Sequence, residues 1–261
     1  LWPSIIISSA SVLLLFFLLR NADWNEMWHQ VTHVHPISML SSLLIIYITV
    51  PIRALQWRIL LPNTPNVVTF LPSLRAICLG YFVNVLLPMK GGDIFRALAV
   101  AREVRIPIAS VAGSLIVNRI LDFIALALLA IITVTLYPAV YGANERTGLN
   151  QINDITIAAI IILLASLLFT GFLYGLFRLQ KPLLIWMNRG VVAFPEKIRL
   201  RFTHILQQLL SGLGILENPK ALWMAQGMAI FCWILFAFSQ IPIMMALDIA
   251  PSQLLFTSAI V

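Results

Sequence analysis

The chain has 261 residues, of which 61% are hydrophobic and only 10% charged, with a mean hydropathy of +0.96. Soluble domains carry about a quarter charged residues, so no water-soluble core could hide this apolar surface and lipid must be the solvent. Long unbroken apolar runs exclude a β-barrel, whose strands alternate. The net charge of +7 reads as cytoplasmic loops facing anionic headgroups, with no nucleic acid partner expected. The fold class expected is all-α: a polytopic transmembrane helical bundle, one membrane domain over 1–261.

Apolar runs of about 20 residues mark the spans in chain order. The first covers roughly 3–19; it lacks a charged n-region and a cleavage site, so it reads as a membrane helix and not a signal peptide. The loop "NADWNEMWHQVTHVHP" follows. Its Trp24, Trp28, Val31 and His35 recur at helical spacing, as in an amphipathic segment lying in the interface. His29 and His33 share a helix face, but no carboxylate or cysteine completes a metal spacing, and no metal or other cofactor is expected. The second span covers roughly 37–60, with Arg53 and Arg58 in its last turns. Further spans cover roughly 119–137, ended by Pro138, then 155–177 and 221–247. A last segment starts near Ser252 and is cut off, so the domain reads as C-terminally incomplete. Cys78 and Cys232 lie in apolar runs and read as small hydrophobes.

Loop charges set an orientation. Loops 21–36, 138–154 and 248–251 contain Arg146, with Arg20 at the edge, beside Asp23, Glu26, Glu145, Asp154 and Asp248. All other basic residues, from Arg53 to Lys220, fall on the opposite side. That side is expected to be cytoplasmic and the 21–36 loop outside, in a cytoplasmic (inner) membrane. The segment 178–220, with Arg178, Lys181, Arg189, Lys197, Arg199 and Arg201, is expected to be a cytoplasmic amphipathic stretch against anionic lipid.

Residues 71–118 do not parse as simple crossings. The fifteen residues Ser73 to Leu87, between Pro72 and Pro88, make a helix of about 22 Å, short of the hydrocarbon core of about 30 Å. "PMKGGD" follows, then a second short apolar run ending at Arg102 and Arg105. Arg75 at one end and Arg102 with Arg105 at the other favour the same side. Residues 73–106 are therefore expected to form a re-entrant, broken helix hairpin, which membrane depth tolerates only where protein or a wet cavity surrounds it. Gly91 and Gly92 are expected to turn the chain and leave N–H groups open to an anion. Lys90 and Arg96 add positive charge; Asp93 can cap the helix or pair with Arg96. This is not a P-loop, because the GK[ST] ending is missing. In "VNRILDF", Asn118, Arg119 and Asp122 lie within one helical turn. Arg119 and Asp122 form either a structural pair or a completion of the anion site, with Asp122 holding Arg119. The run from Pro107 to Tyr137 is too long for one simple crossing; a short segment near Gly113 and a long tilted helix both satisfy it.

"GYFVNVLLPMKGGDIFRALAVAR", followed by "VNRILDF", resembles the flippase-like integral membrane family. That family includes the membrane half of bacterial lysylphosphatidylglycerol synthases and relatives linked to hopanoid and lipid-linked sugar pathways. Its motif is roughly Asn, Leu-Pro, a basic residue, Gly-Asp/Glu and Arg, then Glu-Arg with an Asp three residues on. These positions fall on Asn84, Leu87, Pro88, Lys90, Gly92, Asp93, Arg96, Arg119 and Asp122. Asn118 stands where the family usually has Glu, which weakens a proton-coupled mechanism resting there. A later Pro-Gly-Gly-x-Gly-type element with a Glu is missing, and the chain stops about where it would begin. The resemblance implies a lipid-translocating module with re-entrant elements. It implies no lysyl-lipid synthesis, since no aminoacyl-transferase domain is present in this chain.

Three functions follow. The first is a flippase moving an anionic or phosphate-bearing lipid, phospholipid or polyprenyl-phosphate-linked, between leaflets. Its substrate site would be Asn84, Lys90, Gly91, Gly92, Asp93, Arg96, Arg119 and Asp122. The second is a lipid-binding accessory subunit serving a partner enzyme of lipid or glycan synthesis. The third is a membrane glycosyltransferase using a polyprenyl-phosphate donor, with Asp23 and Glu26 as its acids. A transporter or lipid-binding protein is favoured over an enzyme. No filter-like run supports a channel.

Overall fold

A computed structural model describes residue 20 and residues 24–33, 35–62, 68–86, 91–141, 146–179 and 196–247. The elements are α1 (Trp24–His33), α2 (Pro36–Leu60), α3 (Phe70–Leu86), α4 (Gly92–Val104), α5 (Ile108–Tyr141), α6 (Arg146–Arg178), α7 (Glu196–Gly212), a 3-10 turn (Gly214–Glu217) and α8 (Pro219–Ala246). All regular structure among the described residues is helical, as the composition requires. Among the described residues, four helices carry stretches long and apolar enough to cross a membrane: Pro36–Leu60, Ile108–Thr135, Thr156–Arg178 and Pro219–Ala246. The first expected span at 3–19, the segment from Ser252 and the stretch 180–195 lie outside the described residues.

Local signals set the helix ends. Pro36 and Pro219 occupy the first turns of α2 and α8, where a missing N–H costs nothing. His35 Nδ1 and Asn218 Oδ1 accept from the backbone N–H groups of Ile37 (3.4 Å) and Ala221 (3.1 Å). Pro72 falls inside the first turn of α3, so the helix starts before it, at Phe70. Arg105 closes α4 in the left-handed region (φ 58°), with Ile106 N–H returning to the Ala101 carbonyl at 3.0 Å. This tight cap turns the chain back so that α5 runs alongside α4. The long run from Pro107 is one continuous helix. It passes through Pro138 to Tyr141, because proline forfeits one hydrogen bond but keeps a helical φ.

Helices α2 and α8 share the most extensive interface, and α5 packs on both, on α4, and on α6 and α7. The core gathers at one end of the bundle. It joins Ala54, Trp57 and Leu60 of α2, Ala76 and Ile77 of α3, Ala97 and Val100 of α4, Val111 and Val117 of α5, Leu210 and Leu213, and Ala225 of α8. Elsewhere large apolar side chains face outward, notably Ile161, Leu168 and Phe172 on α6 and Tyr47 on α2, as lipid solvent permits. On α1, Trp24 and Trp28 are exposed.

Helices α3 and α4 form an antiparallel hairpin. Near its base Arg75 Nη1 lies 3.4 Å from Glu103 Oε1, and near its tip Gly80 and Asn84 meet Gly92. The hairpin leaves from the C-terminal end of α2 and delivers the chain to the N-terminal end of α5. Its tip therefore stands beside the body of α5: Asp93 pairs with Arg119, which lies about 17 Å along that helix from Ile108.

Candidate functional site

The hairpin tip is held by close backbone packing. A Cβ on Gly92 would collide with the Gly80 carbonyl oxygen and come within 2.6 Å of Asn84 Oδ1. Gly92 is glycine because two helices touch there, and its N–H donates to Asn84 Oδ1 at 2.8 Å. The amide expected to stay open to an anion is thus already used, by a residue that the family motif singled out. Gly91 precedes the helix at φ −72°, a backbone conformation that does not demand glycine, and no described residue lies within 4 Å of where its Cβ would stand.

Five ionised side chains form a chain of contacts across α4, α5 and α2. Arg96 Nε lies 3.4 Å from Asp93 Oδ1, one turn away on α4. Arg119 Nε donates to Asp93 Oδ2 at 2.9 Å, and its Nη2 also bonds that oxygen. Arg119 Nη1 stands 4.0 Å from Asp122 Oδ2. Asp122 in turn accepts from Arg53 Nη1 at 3.3 and 3.5 Å, and from Asn118 Nδ2 at 3.3 Å. The order is Arg96, Asp93, Arg119, Asp122, Arg53, with one cation in excess.

Of the eight expected site residues, Asp93, Arg96, Arg119 and Asp122 converge in this chain of contacts, and Asn84 and Gly92 bond each other near the hairpin tip. Of the two roles expected for Asp93, the structure shows the pairing with Arg96 and not the helix cap, and it adds a bond to Arg119. The expected Arg119–Asp122 pair is present at 4.0 Å, but Asp122 lies nearer to Arg53, at 3.3 Å. Arg53 lies in the last turns of α2, as expected, about 10 Å short of the helix end, and its side chain, 19% exposed, turns into the bundle. The available signal was its position within an apolar run, where an ionisable group faces the interior, paired. Leu87, Pro88 and Lys90 lie outside the described residues.

Two tryptophans complete the cluster. The Arg96 guanidinium lies 4.8 Å from the centre of the Trp57 ring, and that of Arg53 lies 5.3 Å from Trp233. Trp57 is fully buried and donates its indole N–H to Ser114 Oγ at 3.3 Å. An aromatic face favours a cation by about 2 kcal/mol when both are dry, so each buried arginine is fixed by one ring and one carboxylate. Neither tryptophan was legible, because the pairs join α4 to α2 and α2 to α8.

The donors are not all spent. Arg96 is 8% exposed, and its Nε and Nη2 have no hydrogen-bond partner of good geometry among the described residues. Its neighbour Arg119 keeps its side chain 48% exposed. Arg96 thus keeps a buried Nη2 without an acceptor among the described residues, next to the accessible guanidinium of Arg119. Such a pair suits a bidentate oxyanion, above all a phosphate.

No curated protein and no solved structure gives a significant match to the chain. One family model does, over residues 2–261, and on that match the chain belongs to the family of the lysylphosphatidylglycerol synthase transmembrane region.

Proposed function

We propose that the chain is a lipid transporter that moves an anionic, phosphate-bearing lipid between leaflets, its headgroup held at the hairpin tip. The observation that carries this reading is the buried Arg96 guanidinium, whose Nη2 has no hydrogen-bond partner among the described residues and whose Nε meets Asp93 only at 3.4 Å. An unmade hydrogen bond to a buried charged group costs a few kcal/mol, and a membrane protein retains such a group chiefly where it meets a ligand or an ion path. Membership of a family of lipid-pathway membrane proteins supports a lipid as that ligand.

In this reading the hairpin of α3 and α4 enters and leaves the bilayer on its cytoplasmic face, and the bundle lies in the inner membrane with the 21–36 loop outside. The lipid phosphate takes the Arg96 Nη2 donor and the exposed side of Arg119, beside the Gly91 backbone, and Lys90, which precedes Gly91 in the sequence, adds its charge. Asn84 and Gly92 hold the tip closed. Asp93 and Asp122 aim the arginines and limit their excess charge, so that the headgroup binds weakly enough to leave. Arg53 sets the far end of the charge chain.

The test is translocation of a fluorescent phosphatidylglycerol in vesicles reconstituted with the protein. Arg96→Gln is expected to slow movement by at least about tenfold, the worth of one charged hydrogen bond, with the protein still folded. Wild-type movement in that variant removes Arg96 from the site. Retained lipid binding by a wild-type protein that moves no lipid identifies an accessory lipid-binding subunit instead.

A further inference from the structure

An apolar groove opens between α5 and α8 beyond the charge cluster. Its walls are Leu126, Ala130 and Thr133 of α5 facing Trp233, Ala237 and Phe238 of α8, around a volume of about 170 Å³. Leu126, Ala130 and Thr133 follow Asp122 four, eight and eleven residues on, so they continue the helix face that carries the carboxylate. Trp233 joins the two regions, since the ring that lines the groove is the ring over which Arg53 lies. The groove therefore starts where the charges stop and runs along α5 away from the hairpin base. From Leu126 to Thr133 it extends about 10 Å.

We propose that this groove seats part of the hydrocarbon chain of the same lipid whose phosphate binds at Arg96 and Arg119. The inference rests on the transport reading above and adds the ligand's second half. Continuity carries the choice of occupant: Arg119 stands seven residues, about 10 Å, before Leu126 on the same face of α5, so a basic side chain followed by an apolar track matches a molecule with an anionic head and an aliphatic tail. Apolar cavities of about 150 Å³ take a benzene-sized guest, so the groove holds a handful of methylenes or one isoprenoid unit. Phe238 at its rim is 57% exposed, which leaves the remainder of the chain free to lie in the bilayer. Because lipid tails are as apolar as the groove, seating the tail adds little hydrophobic gain in a membrane. What it contributes is direction, tying the tail's exit to the side of the bundle opposite the hairpin base. A diacyl phospholipid and a polyprenyl phosphate share this chemistry.

Photolabelling of the full chain in phosphatidylcholine vesicles tests it. The probes are phosphatidic acid with a diazirine midway along one acyl chain, a polyprenyl phosphate with a diazirine in its tail, and diacylglycerol with the same acyl diazirine. One or both phosphate lipids are expected to label 126–133 and 233–238 at least about tenfold above diacylglycerol, the margin two basic side chains provide. Whichever phosphate lipid labels more strongly identifies the source. Ala130→Trp and, from the opposite wall, Ala237→Trp are each expected to remove tail labelling, so that one well-folded variant suffices. Equal labelling by diacylglycerol overturns the proposal, since the groove is then ordinary lipid-facing surface. Absence of tail labelling also overturns it, as when another segment of the chain fills the groove. Phosphatidic acid carrying the diazirine on its head separates the two readings: labelling at 91–96 and 119 keeps the phosphate site whatever the tail does.

Discussion

Helix α5 carries two polar joints one above the other, and they are built in opposite ways. Near its start it meets α7 through glycine and serine. A Cβ on Gly212 would run into the Ser110 carbonyl oxygen, and one on Gly113 would stand 2.5 Å from the Leu209 carbonyl oxygen. Ser110 Oγ donates to the Gln208 carbonyl at 2.8 Å and bonds Ser211 Oγ at 2.8 Å. About 10 Å further along, at Arg119 and Asp122, α5 meets the hairpin and α2 through five charges. The lower joint is neutral and satisfied. The upper one shares two carboxylates among three arginines and leaves guanidinium nitrogens over. Small residues and neutral hydrogen bonds join helices at little cost, whereas a joint made of charges carries a desolvation penalty that the neutral joint avoids.

That contrast is sharpest where a charge holds another charge. Asp122→Asn leaves Arg53 buried against Trp233 without a carboxylate. Removing one partner of a buried ion pair costs about 3–5 kcal/mol. The purified variant is expected to show the largest fall in melting temperature of the set, read by thermal unfolding in detergent. A melting curve matching wild type would mean that solvent reaches Arg53 and that the cluster is not dry. Gly212→Ala probes the lower joint. The added methyl meets backbone and not a flexible side chain, so α7 must move off α5, at about 1–3 kcal/mol for overpacking. Lipid movement, read in vesicles, is expected to survive in the fraction that remains folded.

The two joints also differ in how far the sequence announces them. The helix breakers and charges of "LLPMKGGDIFRA" stand out against an apolar background, and so does "NRILD"; hence Asp93, Arg96, Arg119 and Asp122 are legible as a group. The short helices on either side of the turn are legible from proline spacing. What the sequence hides is partnership across helices. Arg53, Trp57 and Trp233 each look ordinary in their own helix, an arginine toward the end of a span and two tryptophans in apolar runs, and they acquire a role only when α2, α4 and α8 meet. Gly91 and Gly92 read alike in sequence yet differ in space, because among the described residues only Gly92 lies against another helix's backbone. Gly113 and Gly212, about a hundred residues apart, carry no local sign that they face each other.

Asn84→Ala removes the acceptor of the Gly92 N–H while leaving the glycine contact itself. The expected loss is about 1 kcal/mol, one neutral hydrogen bond. It should appear as a small fall in melting temperature and as faster amide exchange at the start of α4. A loss as large as that of Asp122→Asn would make Asn84 a keystone of the hairpin and not a latch on its tip.

Arg96→Met has the smallest expected effect on stability and the most informative sign. The substitution keeps an unbranched apolar stem beside Trp57 and deletes a buried charge whose nitrogens are not all paired. Deleting an incompletely compensated buried ion is neutral, or raises stability by about 1 kcal/mol or more. Two losses oppose this: the cation–π contact with Trp57 and the 3.4 Å approach to Asp93, which keeps Arg119 as its partner. The melting temperature of the empty protein is therefore expected to stay level or rise while lipid movement fails. Added anionic lipid should then stabilise the wild type and leave the variant unmoved, since a ligand raises apparent stability only where it binds the folded state. A variant that melts well below wild type and still moves lipid would reverse the assignment: Arg96 would then be structural, and the upper joint would differ from the lower only in the kind of bond that closes it.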